Sequence, residues 1–120
     1  MTPRHRSRAP DDSGMTTVET AINLLAMGLV LALGVSTITA VVDQLRCTDA
    51  AREAARLIAR GEPERAGSIV QSIAPANAQL TVHTDGDTVR VEVSATPTVH
   101  LPGLRLTARA FAVLEPTPPA

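Results

Sequence analysis

Aromatic residues are nearly missing from this chain, which has one Phe and neither Trp nor Tyr. That removes the usual anchors of binding surfaces and the platforms on which bases stack. Lys is absent: all eleven basic residues are Arg, a bias we read as genomic base composition because nothing local requires a guanidinium at every site. Cysteine is limited to Cys47, which excludes an intramolecular disulfide and any multi-cysteine zinc site. No sign of charge dominates, with a net charge of −1 on 120 residues, so nothing points to nucleic acid as a partner. Catalytic constellations are also wanting. Ser13, Ser36, Ser68, Ser72 and Ser94 lie in no nucleophile-elbow motif, and no glycine-rich loop is placed to cradle phosphate. We therefore expect neither enzymatic activity nor a cofactor. His83 and His100, even with Asp85, share no metal-ligand spacing and are expected to be exposed strand residues.

What the chain does have is concentrated. Residues 20–42 form a run of 23 without a single charge, bounded by Glu19 and Asp43. As a helix at 1.5 Å per residue this is roughly 35 Å long, enough to cross a hydrocarbon core of about 30 Å. Arg4, Arg6 and Arg8, with His5, precede the run, whereas Asp43, Arg46 and Asp49 follow it in mixed order. The positive-inside rule then places the N-terminus in the cytoplasm and the remainder outside, in contact with membrane lipid through a single pass. An ordinary secretory signal is the competing reading, with Ile38-Thr39-Ala40 as a poor small-residue cleavage site. The run exceeds the usual 7–15 residue apolar region of such signals, and an acidic, Gly-containing stretch separates it from the basic residues.

Around that run the sequence divides into four parts. Residues 1–14, rich in Arg, Pro, Ser and Asp, lack apolar periodicity and are expected to form a leader without regular structure. No Pro occurs between Pro10 and Pro63, which permits one helix from about Thr17 to Arg60. Residues 15–61 thus form a transmembrane and projecting stalk helix, roughly twice the length the bilayer requires. In its outer half Cys47, Ala51, Ala54, Ala55 and Ile58 share one face, while the Asp49–Arg52 and Glu53–Arg56 spacings suit surface pairs. Gly61 suits a left-handed cap and Pro63 bars continuation. Residues 62–114 are expected to form a small α+β head. A short helix over about 63–73 places Ala66, Ile69, Val70 and Ile73 on one face. The period then changes to two, with Leu80 and Val82, a turn at Asp85-Gly86-Asp87, then Val89, Val91 and Val93. After Pro97 and Pro102-Gly103 a third strand is expected over about 104–114, giving a three-stranded antiparallel sheet. Residues 115–120 are a Pro-rich tail. So small a head needs a cover for its sheet, and the small-residue face of the stalk is the available partner.

The informative stretch is Ser13-Gly14-Met15-Thr16-Thr17-Val18-Glu19, directly before the charge-free run. Basic residues, a Gly, and a Glu five positions beyond it at the membrane edge coincide there. An acid at the head of a spanning helix is costly and so marks a functional candidate. This pattern resembles the type IV prepilin signature. With the small head and the motif Arg46-Cys47-Thr48-Asp49-Ala50-Ala51-Arg52-Glu53-Ala54-Ala55-Arg56, the chain is similar to the TadE-like minor pilins and pseudopilins of tight-adherence (Tad) systems, particularly actinobacterial ones. The resemblance implies cleavage by a prepilin peptidase between Gly14 and Met15, retention of the apolar helix as filament core, and pairing of Glu19 with a neighbouring subunit's N-terminal amine. It implies as partners the peptidase, other pilin subunits and the Tad assembly machinery, and adhesion or secretion as the use. Many Tad major pilins carry Tyr after the Glu, and Thr20 here favours a minor subunit.

Plainer readings stand beside these. Thr16 and Glu19 fit a capping box, with Thr16 as N-cap. Gly28 and Ala32 form a small-xxx-small pair suited to close helix packing, although such residues are common in spanning helices. Asn23 suits a bond to its own backbone. Cys47 suits a buried small hydrophobe, with a disulfide between subunits as the alternative. The whole-chain alternative is an uncleaved single-pass anchor carrying an extracytoplasmic binding module.

Overall fold

The computed structural model describes residues 1–3, 12–99 and 102–116. Its elements are α1 (Ser13–Ala59), α2 (Pro63–Ile73), β1 (Gln79–Asp85), β2 (Thr88–Ala95) and β3 (Leu106–Val113). This is the α+β arrangement expected from the sequence: a long apolar helix, a short helix and an antiparallel sheet. The chain forms two units, Met1–Val35 and Ser36–Ala120, and α1 contributes to both. Arg4, Arg6 and Arg8, on which the orientation rests, lie outside the described residues, as does His100.

In the first unit α1 begins four residues earlier than the expected Thr17. Asp12 belongs to the favoured N-cap types, and its carbonyl accepts the first helical bond from the Thr16 amide, 3.1 Å away. The Thr16 hydroxyl donates to that same carbonyl at 3.0 Å. Thr16 is therefore inside the helix, and the capping box with Glu19 is not formed. Beyond it, every residue of 13–35 is exposed, including large apolar side chains on all sides. An 18-residue window of α1 has a mean hydropathy of 2.3 with none of it buried. A helix apolar all round and uncovered by its own chain has no face suited to water. It is long and apolar enough to cross a membrane.

The second unit is built on the remainder of α1. The stop proceeds as the sequence indicated, through a Schellman motif. Gly61 takes φ of +81°, its amide donates to the Ile58 carbonyl at 2.9 Å, and the Glu62 amide donates to the Leu57 carbonyl at 2.9 Å. Pro63 then sits at the first turn of α2, where its missing N–H costs nothing. Gly86, at φ +59°, opens the two-residue turn between β1 and β2, and among the described residues no non-glycine residue has positive φ. The turn is type II′, whose twist suits a hairpin.

The sheet order is β1-β2-β3, antiparallel throughout. In register, Leu80, Val93 and Ala108 line up across the inner face, as do Val82, Val91 and Ala110. Val89, Val91 and Val93 are completely buried, each contributing about 1.5–3 kcal/mol of apolar transfer energy as an upper bound. They pack in one cluster with Cys47, Ala50, Ala51 and Ala54 of α1 and Ala66 and Val70 of α2. The small side chains of α1 act as the cover the sheet required.

Four details depart from the sequence reading. Leu57 and Ala50 are buried and Ile58 only half-buried, because α2 and the sheet together enclose more than one face of the helix. Glu53 pairs with Arg56, while no Asp49–Arg52 pair forms among the described residues. The third strand starts at Leu106, not Leu104, with Pro102 and Gly103 turning the chain immediately before it. On β1, Val82 remains 41% exposed on the nominally inner face, since the helices cover β2 and β3 more fully than this edge strand.

Candidate processing and assembly site

Gly14 and Met15 occupy the first turn of α1. The expected cut lies between residues tied across it: Thr16 bonds to the carbonyl of Asp12, and the Thr17 hydroxyl donates to that of Ser13 at 3.0 Å. Hydrolysis there requires this turn to open. Gly14 makes opening easier, since Gly disfavours a helix by roughly 1 kcal/mol relative to Ala. A Cβ built at Gly14 would meet nothing within 4 Å. The fold itself places no demand for glycine at this position.

Glu19 lies one turn beyond Met15 on the same side. Helical side chains lean toward the N-terminus, so a residue at this spacing leans toward Met15. Gly14, Met15, Val18, Glu19 and Ile22 line one shallow concavity along the helix. Glu19 forms no ion pair among the described residues, and it is the only charged residue between Met15 and Val42. After a cut at Met15, it would stand four residues from a new positive amine. Further along, Gly28 and Ala32 are both exposed, and a Cβ at Gly28 would also meet open space. The small-residue face is present and exposed.

Cys47 belongs to the second unit and is 0% exposed, a free thiol in the core. Burial, with the Asp43 carboxylate as a second cause, pushes its pKa up, so the reactive thiolate is scarcer still. The buried-hydrophobe reading fits. A disulfide between subunits would require the head to open first.

Sequence reading missed Asp43, which it took only as the end of the charge-free run. The side chain is 3% exposed, and Oδ2 accepts the Thr98 amide at 2.9 Å. Next to it, Gln44 Nε2 donates to the Thr107 carbonyl at 3.0 Å. These two bonds fasten the β2–β3 connection to α1. The signal available was spacing: Asp43 is four residues before Cys47, on the same helical face. His83 and Asp85 fall on the outer face of the sheet, where Arg90 stacks over Phe111 at 5.3 Å. Among the described residues no three His, Cys, Asp or Glu side chains are grouped to hold a metal.

No protein-family profile matches the chain, and no solved structure does. The chain is 46% identical over 99 residues to the Mycobacterium tuberculosis (strain ATCC 25618 / H37Rv) protein named Apoptosis inhibitor Rv3655c, covering 82% of this chain and 78% of the relative. That extent takes in most of both proteins, and the chain belongs to the family of this mycobacterial protein.

Proposed function

We propose that the chain is a minor subunit or pseudopilin of a type IV-class pilus of the Tad type. In this reading it is inserted with its N-terminus inside, cut after Gly14 and assembled through α1. The observation that carries it is the placement of charge: over residues 13–35, where every side of α1 is exposed, the helix has a single acid, Glu19, five residues past a Gly. A lone carboxylate at the head of such a helix is expensive unless something pairs with it, and a freshly cut amine is a suitable partner. The experiment is the N-terminus of the chain expressed with its cognate prepilin peptidase, read by mass spectrometry. Met15 is expected as the first residue; a start upstream of it defeats the proposal.

The alternative is an uncleaved anchor presenting the head beyond the membrane. The mycobacterial relative's name states an effect on apoptosis rather than an assembly role. A head displayed on a retained anchor is the version of this architecture such an effect would favour, and an intact N-terminus would select it.

Orientation has its own test. In cells stripped of their outer wall, Cys47 should resist a membrane-impermeant maleimide while folded and react after mild denaturation, because its sulfur is enclosed. A cysteine introduced by Ser7→Cys should remain unlabelled under both conditions. Labelling of the Ser7→Cys variant before denaturation would reverse the orientation.

A further inference from the structure

The bonds at Asp43 and Gln44 have a consequence for the segment they hold. Asp43 is the first charged residue after the charge-free run, and the last seven residues of that run, 36–42, belong to the same unit. The Thr98 amide is fixed to Asp43 and the Thr107 carbonyl to Gln44, so both sides of the β2–β3 connection are pinned where the apolar run ends. From there β3 leads away: the Glu115 amide donates to the Ala59 carbonyl at 3.1 Å, beside the far end of α1. Within this unit the sheet therefore lies on the Ala59 side, and the connection is held beside Asp43 and Gln44, directly after residues 36–42.

Its composition suits that place. From Ala95 to Leu104 the sequence contains no Asp, Glu, Lys or Arg. Pro102 and Leu104 are exposed, Leu104 by 40%, and Val99 is half-buried. Arg105 follows Leu104 directly and Arg46 stands three residues beyond Asp43 on α1; both are exposed and in no ion pair among the described residues. Apolar side chains where the charge-free run ends, with guanidinium groups just beyond in the sequence, match the acyl–headgroup boundary of a phospholipid bilayer.

We propose that the β2–β3 connection is a lipid-contacting surface, which seats the head on the membrane through Leu104 with Arg46 and Arg105 at the phosphate level. The proposal rests on insertion of the apolar helix and on neither cleavage nor assembly.

The chain contains no Trp, so each introduced Trp is the only one. Full-length Leu104→Trp, Val113→Trp and Leu31→Trp variants would be reconstituted in phosphatidylcholine–phosphatidylglycerol vesicles, with bromine near the headgroup end or near the middle of the acyl chains. Leu104 and Val113 are both exposed, so neither substitution disturbs the core. Leu104→Trp should lose at least about half its emission to the shallow bromines, while Val113→Trp, at the other end of β3, is unaffected. Leu31→Trp, within the span, should be quenched by the deep bromines. Leu104→Trp emission indifferent to bromine, with Leu31→Trp quenched, overturns the proposal while leaving the span intact. A blue-shifted but unquenched Leu104→Trp also overturns it, showing that protein and not lipid covers the patch. An unquenched Leu31→Trp would remove the inserted helix on which both this inference and the pilin reading depend.

Discussion

A Gly14→Val chain is expected to keep its leader on essentially every molecule, running heavier than the processed chain by about 1.6 kDa, the mass of residues 1–14. The structure makes this substitution informative. Space at Gly14 is open, so Val meets no neighbour, and the helix accepts Val at least as readily as Gly. The variant should therefore fold and insert as the parent does. What changes, on the proposed pilin reading, is the step that would need residues 14 and 15 out of the helix and against an enzyme. A β-branched side chain stiffens the turn and keeps the backbone from approaching a catalytic centre closely. Gly14→Ala is the graded companion: it favours the helix by about 1 kcal/mol with little added bulk, so partial and slower processing is expected. Complete processing of Gly14→Val would show that the cut lies elsewhere.

Glu19→Gln should be inserted and cut at Met15 yet fall at least tenfold in the sheared filament fraction, accumulating in the membrane. Two unit charges about 4 Å apart at an effective dielectric near 20 attract by roughly 4 kcal/mol before desolvation. In the proposed assembly, much of that would offset the cost of taking the Met15 amine into an apolar bundle. Because Thr16 is no N-cap here, the capping-box explanation of Glu19 has lost its geometry. A different competitor replaces it: Glu19 stands one helical turn from its own Met15, so the pair can close within one chain instead of between neighbours. The absence of Lys supplies the means to tell them apart. Once cut, the chain has one primary amine, at Met15, and an amine-reactive reagent labels nothing else at neutral pH. Pairing between subunits protects that amine in filaments and leaves it reactive in detergent-solubilised monomer. Pairing within the chain protects it in both. Wild-type recovery of Glu19→Gln filaments, in cells without a native copy, would remove the charge pair from the mechanism altogether.

Much of the second unit was legible because its signals are local. The Gly61 cap, Pro63 at the start of α2, the two-residue turn at Gly86 and the alternation of Val89, Val91 and Val93 each depend on a few adjacent residues, and each appears where expected. The start of α1 was less legible. Thr16 and Glu19 fit a capping box, but Asp12 and Ser13 offered an earlier start, and spacing alone cannot rank two competent beginnings. The burial of Asp43 was hidden for another reason. Its partner, the Thr98 amide, is 55 residues away, and a carboxylate at the edge of a charge-free run has a sufficient explanation without it. The exposure of Val82 follows the same pattern: alternation identifies which side faces inward, but not how far the helices reach across a sheet edge. At the candidate site, the order Gly14, Met15, Glu19 was visible in the sequence. The helical closure of the Gly14–Met15 bond was not.

β3 is fastened to α1 at both ends, by Gln44 to Thr107 at one and by Glu115 to Ala59 at the other. The strand thus lies lengthwise along the helix, and a pull along the helix axis would load both fastenings at once, in shear. Peeling from a single end would break them one after the other, at lower force. If the subunit stands in a fibre under tension, the head would resist as a splint bound at two points. The weakest direction would be sideways, across β1, where only Leu80 of the outer strand is partly buried against the core.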